Sequence, residues 1–255
     1  MLPELPPTAP ELLPVEPTAP LHAPLSRSRA VAEVLLCSGF PTQLVIVSLL
    51  AAAGVQPLPN GALSPSFVFT LSAIDTVLLL GLVFLFLHRS HERPREVFLG
   101  TRTLAEELWF GVLFLPVIFL AVIVVQVGLR LVAPTLHNVE VTPFAPLLES
   151  PWLIAGFVVL VLIAGGVREE LQRAFLLHRF EQRLGGGTVG VIVSSVAFGL
   201  GHTVQGWDAA IVTAMLGALW GALYLSRRSV VATVTNHALF NLAQIALGYA
   251  TLVRT

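Results

Sequence analysis

Long apolar stretches are the feature of this sequence that most constrains its fold. A helix crosses the apolar core of a bilayer with about 20 predominantly apolar residues. Hydrophobic residues make up 55% of the 255 residues and charged residues 11%, whereas a soluble domain carries about 25% charged residues. We therefore expect an all-α fold, a polytopic transmembrane helical bundle with about seven spans. The spans are predicted near 33–54, 66–87, 107–130, 152–167, 188–204, 207–225 and 229–250.

The basic residues, all of them arginine, indicate how these spans are oriented. Arginines precede the first span and then occupy every second loop, at 27–29, 89–102, 179–183 and 227–228. The loops at 55–65, 133–151 and 205–207 contain neither arginine nor lysine. Because cytoplasmic loops are enriched in positive charge, the N-terminus is predicted to be cytoplasmic. We expect an integral protein of the cell membrane, with the lipid bilayer as a partner.

Composition also divides the chain into three parts. Residues 1–30 contain eight prolines and no helical periodicity, which predicts a disordered cytoplasmic tail. Residues 31–133 hold the N-terminal transmembrane helices, and residues 152–250 hold spans in which polar residues interrupt the apolar runs. Cys37, the only cysteine, excludes an internal disulfide and a cysteine-rich metal site. The net charge of −1 gives no support for a nucleic-acid partner.

Two adjacent carboxylates, Glu169 and Glu170, follow the fourth apolar run. Neighbours on a helix point about 100° apart, so only one of the two can face a given site. Arg173 comes four residues after Glu169 and three after Glu170, which are spacings at which helical side chains meet. One interpretation is a solvated ion pair at the cytoplasmic end of a helix. The other is a functional site in which one carboxylate acts and the other forms a pair.

Two histidines lie inside apolar stretches, where ionisable groups are costly and indicate functional sites. His202 follows Phe198 by four residues, and Asn241 follows His237 by four, so each pair shares one face of a helix. A lone histidine on an apolar helix is more often structural, but two of them with an amide and two carboxylates favour one shared polar site. Asp75, in the second span, could hydrogen-bond within the bundle or line a path for water, and we favour the hydrogen-bonding role.

These residue types suit hydrolysis of a peptide or ester bond. A carboxylate and an imidazole can take a proton from water, while a second imidazole and an amide stabilise the tetrahedral intermediate. One glutamate and two histidines could instead hold zinc, with water in the fourth position. Asparagine is a poor zinc ligand, so we favour a metal-free mechanism without a cofactor, and zinc stays open as the alternative.

In this combination of motifs the chain resembles the CPBP family, the CAAX protease and bacteriocin-processing enzymes also called ABI proteins. The family pattern is a Glu-Glu motif closed by arginine, then Phe-x-x-x-His, then His-x-x-x-Asn, in this order on separate membrane helices. Phe198 with His202 and His237 with Asn241 match the last two motifs without alteration. The resemblance covers roughly residues 152–250 as a CPBP-like catalytic core. It implies an intramembrane endopeptidase that acts on membrane-embedded or membrane-proximal peptides.

The resemblance also implies a role for each site residue. Glu169 with His202 would activate the attacking water, and His237 with Asn241 would form the oxyanion hole. Arg173 would orient the carboxylates.

The first motif is one residue shorter than the family pattern, which has three residues between the second glutamate and the arginine. If Glu169 and Glu170 match the family pair, Ala174 occupies the arginine position and Arg173 supplies the pairing. If Arg173 matches the family's arginine, Arg168 replaces the first glutamate and Glu169 takes the second place. We predict that Glu169 is the base and that Glu170 is the second catalytic carboxylate.

Two alternatives to an endopeptidase stay open at this point. The second alignment favours a CPBP-fold membrane scaffold or immunity protein without catalytic activity. A proton-coupled transporter could use the same polar residues as a proton relay.

The depths of the motifs in the membrane raise a geometric problem. Glu169 is predicted at the end of the fourth span, whereas His202 lies some 20 Å above the start of the fifth, so straight, upright helices would keep them apart. A tilt, a bend at Gly165-Gly166, or a buried glycine loop at 185–187 is needed to bring them together.

Overall fold

The computed structural model describes residues 25–58 and 62–252, and every regular element in these residues is helical. The predicted all-α fold is thereby confirmed. The α-helices are α1 (Arg27–Leu36), α2 (Phe40–Ala52), α3 (Pro65–Arg89), α4 (Pro94–Phe98), α5 (Leu104–Leu113), α6 (Leu115–Val132), α7 (Pro151–Leu160), α8 (Glu169–Arg183), α9 (Gly187–Leu200), α10 (Trp207–Arg227) and α11 (Val231–Leu252). A π-helical segment, Val161–Arg168, joins α7 to α8.

Five helical stretches in the described residues are long and apolar enough to cross a membrane, so the predicted count of about seven spans is not confirmed. They are Arg27–Ala52, Pro65–Arg89, Leu104–Val132, Pro151–Arg183 and Trp207–Arg227. Helix α9 has 14 residues, which at about 1.5 Å each reach only part of the way across a core of about 30 Å. Helix α11 is long enough, but asparagines, a histidine and a glutamine lower its hydropathy.

The first helix begins inside the predicted N-terminal tail. Ser26 caps α1, because its side chain accepts a hydrogen bond from the backbone N–H of Arg29. Residues 27–30 are therefore helical, which corrects the tail boundary predicted at residue 30. The predicted disorder of residues 1–24 concerns residues outside the described ranges.

The fourth apolar run belongs to one long helical stretch, Pro151–Arg183, of 33 residues. It includes α7, the π-helical segment and α8. Helices α1, α3, α4, α9 and α10 all contact α8, and most of its side chains between Gln172 and Phe180 are buried. Helix α8 is therefore a central element of the bundle, and its first turn, which carries both glutamates, lies within this stretch rather than at its end.

Close packing of α9 against α10 sets the position of the Phe-x-x-x-His motif. A Cβ atom at Gly199 would lie 2.6 Å from the backbone oxygen of Ala210, so only glycine allows this approach. A Cβ atom at Gly217 would lie 3.1 Å from the ring of Phe198. Small residues at helix contacts are typical of membrane proteins, where close van der Waals packing drives association.

We predict that Gly199→Ala destabilises the fold while Gly81→Ala does not. The added methyl at Gly199 collides with backbone and should cost about 1–3 kcal/mol, as overpacking does. Gly81 lies in α3 with nothing within 4 Å of an added Cβ, so alanine there should stabilise the helix by about 0.5–1 kcal/mol. Thermal unfolding of both variants in nanodiscs measures the difference. Equal melting temperatures for the two variants would contradict the proposed packing.

A cluster of charged side chains joins α1, the α3–α4 connection and α8 outside the polar motifs. The fully buried Arg179 donates to Glu33 Oε2 and to Glu92 Oε2, each at 2.6 Å. His178 Nε2 lies 3.1 Å from Glu92 Oε1, which also accepts from Gln182 Nε2. Burial by itself raises the pKa of Glu92, but hydrogen bonds from His178, Gln182 and Arg179 outweigh it and lower the pKa from 4.5 to about 2.

Because the folded state lowers the pKa of Glu92, its contribution to stability is present above pH 4.5 and is lost as the pH falls towards 2. Glu92→Gln is therefore expected to lower the melting temperature at pH 7, and the difference from wild type should shrink between pH 4.5 and 2. Glu96→Gln is the matched control, because Glu96 forms only an exposed pair with Arg93 and such pairs contribute little. A Glu92→Gln difference that does not change with pH would contradict the expectation.

Candidate active site

The two glutamates at the start of α8 have different surroundings. The Glu169 side chain is 18% exposed and borders two cavities, whereas that of Glu170 is 1% exposed. The π-helical segment directly before them winds less tightly than an α-helix, and such segments are frequent at functional sites. Only Glu169 is therefore accessible to a substrate, as expected of neighbours on a helix.

Glu170 is held in a buried polar group. Its Oε1 accepts hydrogen bonds from Arg173 Nη1 and, at 2.8 Å, from His237 Nδ1. Its Oε2 is buried without a hydrogen-bond partner among the described residues. Arg173 pairs with Glu170, three residues before it, and also lies 4.8 Å from the centre of the Phe198 ring. Glu170 thus fixes the position of the His237 ring through a hydrogen bond, and Arg173 fixes the position of Glu170.

The hydrogen bond to Glu170 determines how His237 is oriented. A carboxylate only accepts, so Nδ1 of His237 carries a proton, and Nε2 of the neutral ring is left with a lone pair. Nε2 lies 3.9 Å from Glu169 Oε2. The ring is also stacked on Trp220, with 3.8 Å between ring centres and an angle of 18° between planes.

His202 has the same tautomer for a different reason. Its Nδ1 lies 2.7 Å from the backbone oxygen of Phe198, and because a carbonyl only accepts, this nitrogen must donate. Its Nε2 is then available as a proton acceptor. The Phe198 ring meets the imidazole edge-on, with 4.6 Å between ring centres. The four-residue spacing therefore orients His202 through both backbone and ring.

One cavity of about 580 Å³ brings the motifs together. Its wall includes Glu169, Phe198, His202, His237 and Asn241. Four of the five predicted catalytic residues thus share a cavity with the supporting Phe198. Glu170 and Arg173 do not line this cavity but lie behind His237.

Asn241 reaches this cavity because the facing π-helical segment contains glycine. A Cβ atom at Gly165 would lie 2.7 Å from Asn241 Nδ2. Any other residue at position 165 would displace the amide.

The predicted difference in depth between Glu169 and His202 is absent from the structure. Helix α8 begins at Glu169, helix α9 ends just before His202, and the two helices have 15 and 14 residues. They pack side by side in opposite directions, because only a short turn joins them. The start of one therefore lies level with the end of the other. Glu169 lies inside the 33-residue stretch Pro151–Arg183, because the helix continues beyond its apolar run to Arg183.

A network next to Glu169 could not be predicted from the motifs. The fully buried Asp75 of α3 binds Arg168 Nη2 and also accepts from Thr42 Oγ1 at 2.6 Å. Arg168 Nη1 donates to Gln172 Oε1 at 3.2 Å and lies 3.8 Å from Glu169 Oε1. Asp75 hydrogen-bonds within the bundle, as expected, but only the structure identifies its partner, 93 residues away.

Two further residues orient His237 and were missed at the level of sequence. Trp220 Nε1 donates to Asn236 Oδ1 at 2.8 Å, and Asn236 Nδ2 donates to the backbone oxygen of Gly111 at 2.9 Å. Both side chains are buried. The network holds the indole flat against the imidazole. The polar Asn236 beside His237 is the one signal in the sequence that could have indicated it.

Within residues 25–58 and 62–252, no group of three His, Cys, Asp or Glu side chains is arranged to hold a metal ion. The metal-free mechanism stays a prediction.

Comparison with protein families identifies the part of the chain that contains this cavity. The model of the family described as type II CAAX prenyl endopeptidase Rce1-like, a CPBP family, matches residues 150–243. The predicted CPBP resemblance is confirmed. The CPBP match includes all five predicted catalytic residues and leaves the helices before residue 150 outside it. Comparison with curated proteins and with solved structures found no match.

We predict that both cavity histidines carry their single neutral-state proton on Nδ1. Nitrogen-15 NMR of the imidazoles distinguishes the two tautomers, and His202→Ala and His237→Ala variants assign the signals. Glu170→Ala removes the acceptor of His237 and should abolish its preference, while His202, bound to a backbone oxygen, should not change. A neutral His202 with its proton on Nε2 would contradict the geometry.

Proposed function

We propose that this protein is an intramembrane endopeptidase that hydrolyses membrane-embedded or membrane-proximal peptide bonds with water. The observation that supports the proposal is the single cavity shared by Glu169, His202, His237 and Asn241. The CAAX-type protease fold indicated by the family match agrees with this chemistry. The bilayer and a peptide anchored in it are the partners that this function requires.

Glu169 and His202 are the groups that activate water in this proposal. Glu169 is the accessible carboxylate, and His202 offers Nε2 as a proton acceptor beside it. The water oxygen attacks the carbonyl carbon, a C–O bond forms and the C=O π bond breaks to give the oxyanion. One water proton passes to Glu169, while the other stays on the oxygen in a hydrogen bond to His202 Nε2. When the C–N bond breaks, the amine leaving group takes that proton, so the products are a carboxylic acid and an amine.

His237 and Asn241 are the groups that stabilise the oxyanion. Asn241 can donate through its amide. His237 can donate through Nε2 when that nitrogen has taken up a proton from the solvent before the attack, and the ring keeps this proton until the products leave. The Glu170 carboxylate at Nδ1 stabilises the resulting imidazolium. Donors aimed at the developing charge are worth about 10²–10³ in rate. Glu170 thus acts through His237, and Arg173 keeps it ionised and in place.

The convergence of the motifs supports hydrolysis over the two alternatives. A scaffold or immunity protein needs no grouping of acid, base and amide around one cavity. A proton-coupled transporter would carry cargo without cutting peptide, so flux into proteoliposomes that is lost in Glu169→Gln, with no proteolysis, would favour it. The cell-membrane location and the cytoplasmic N-terminus stay predictions.

Glu169→Gln and His202→Ala are each expected to lower cleavage by about 10²–10⁴-fold, because each removes a proton acceptor. Asn241→Ala should lower it by about 10²–10³-fold through loss of an oxyanion donor. Purified protein in proteoliposomes with a library of membrane-anchored peptides, analysed by mass spectrometry, measures these rates. Glu149→Gln, an exposed carboxylate outside the cavity, is the control and should cut like wild type. Full activity in every cavity variant would refute the proposed function.

A further inference from the structure

A second, smaller cavity of about 110 Å³ meets the site from another side. It shares Glu169, Phe198 and His202 with the large cavity, and these are the residues common to the two walls. The remaining wall comes from the α1–α2 turn and the start of α2, from Arg168 at the end of the π-helical segment, from α8, and from α9 with the residue after it. The water-activating pair therefore lies between two cavities of different size.

The size of the small cavity and its polar lining indicate what it holds. One water molecule needs about 10–15 Å³ of space in which its centre can lie. The cavity therefore has room for several waters but not for a peptide. Polar side chains line it, among them Arg168, Gln172 and Ser194, and a polar cavity of this size is normally filled by ordered water.

The charges around the small cavity favour a neutral ligand over an anion. Arg168 is already paired with Asp75, and Arg173 with Glu170. Glu169 adds a further carboxylate to the wall. The two guanidinium charges are therefore balanced, and an anion would meet Glu169 without a free cation. Water has the donors and acceptors that this wall requires.

We propose that the small cavity delivers the hydrolytic water to Glu169 and His202, while the peptide occupies the large cavity. The inference rests on the proposed hydrolytic function. It assigns a role to the helices outside the family match, because Ser38 and Gln43 of the α1–α2 corner supply part of the polar wall. Gly39 forms this corner with a φ of +89°, a conformation that favours glycine.

Thiol labelling tests for water in the small cavity without requiring activity. Cys37, the only cysteine, is replaced by serine, and a single cysteine is introduced at Ser194, which lines the small cavity. The matched control is Val196→Cys on the same helix, which is 54% exposed on the outer surface, faces lipid in our proposal and lines neither cavity. Proteoliposomes are treated on each side of the membrane with Ag⁺, a thiolate-reactive ion small enough for a cavity that holds only several waters. The reagent reacts only with a thiolate in water.

We expect Ser194→Cys to react at least about tenfold faster than Val196→Cys, although Ser194 is the less exposed residue. Equal rates, or faster reaction at Val196→Cys, would refute the water-filled cavity. This result does not depend on proteolysis, so it separates failure of the water route from failure of the proposed function.

Filling each cavity then separates water delivery from peptide binding. Ala197→Leu narrows the small cavity and should lower kcat by about tenfold or more with little change in KM, because peptide binding is untouched. Ala209→Leu narrows the large cavity and should mainly raise KM. Ser194→Leu fills the small cavity from another position if Ala197→Leu fails to fold. A kcat that stays at the wild-type value in a folded small-cavity variant would refute the proposed route.

Discussion

The burial of the Glu170 carboxylate is the constraint on which the rest of the site depends. An ionised carboxylate inside an apolar bundle is costly unless charged or hydrogen-bonded partners surround it. Arg173 and His237 bind the same oxygen, so α8 and α11 must lie at one fixed distance and rotation. With Glu170 committed to this pair, the adjacent Glu169 is turned towards the cavity, and His237 is left with Nε2 facing it.

A second buried ion pair links the family-matched part to the helices before it. Asp75 of α3 binds Arg168, directly beside Glu169, and Gln172 of α8 donates to the backbone oxygen of Cys37 at 2.8 Å. Breaking such a pair would leave one charge buried alone, which is strongly destabilising. The N-terminal helices therefore hold the position of the motif helix as well as crossing the membrane.

Contacts between site residues that lie only a few positions apart in the chain could be predicted from the sequence. The four-residue relation of His237 to Asn241 follows from helical geometry. His202 lies in the turn just after α9 and still contacts the Phe198 backbone oxygen, so both pairs line the cavity. The relation between Glu169 and His202 could not be obtained in this way, because it depends on α8 and α9 packing side by side in opposite directions. Trp220 and Asn236 escaped the sequence analysis because their contacts with His237 and with Gly111 cross between helices.

The sequence by itself determined the helical fold and the residue types of the site. It also determined that only one of the two adjacent glutamates can face the site. Local periodicity and the cost of charge in an apolar setting are sufficient for these conclusions. Only the tertiary structure decided which glutamate faces the cavity, how the His237 imidazole is oriented and which partner Arg168 takes. These features depend on hydrogen bonds between helices far apart in the chain, whose packing distances are not encoded in the spacing of any motif.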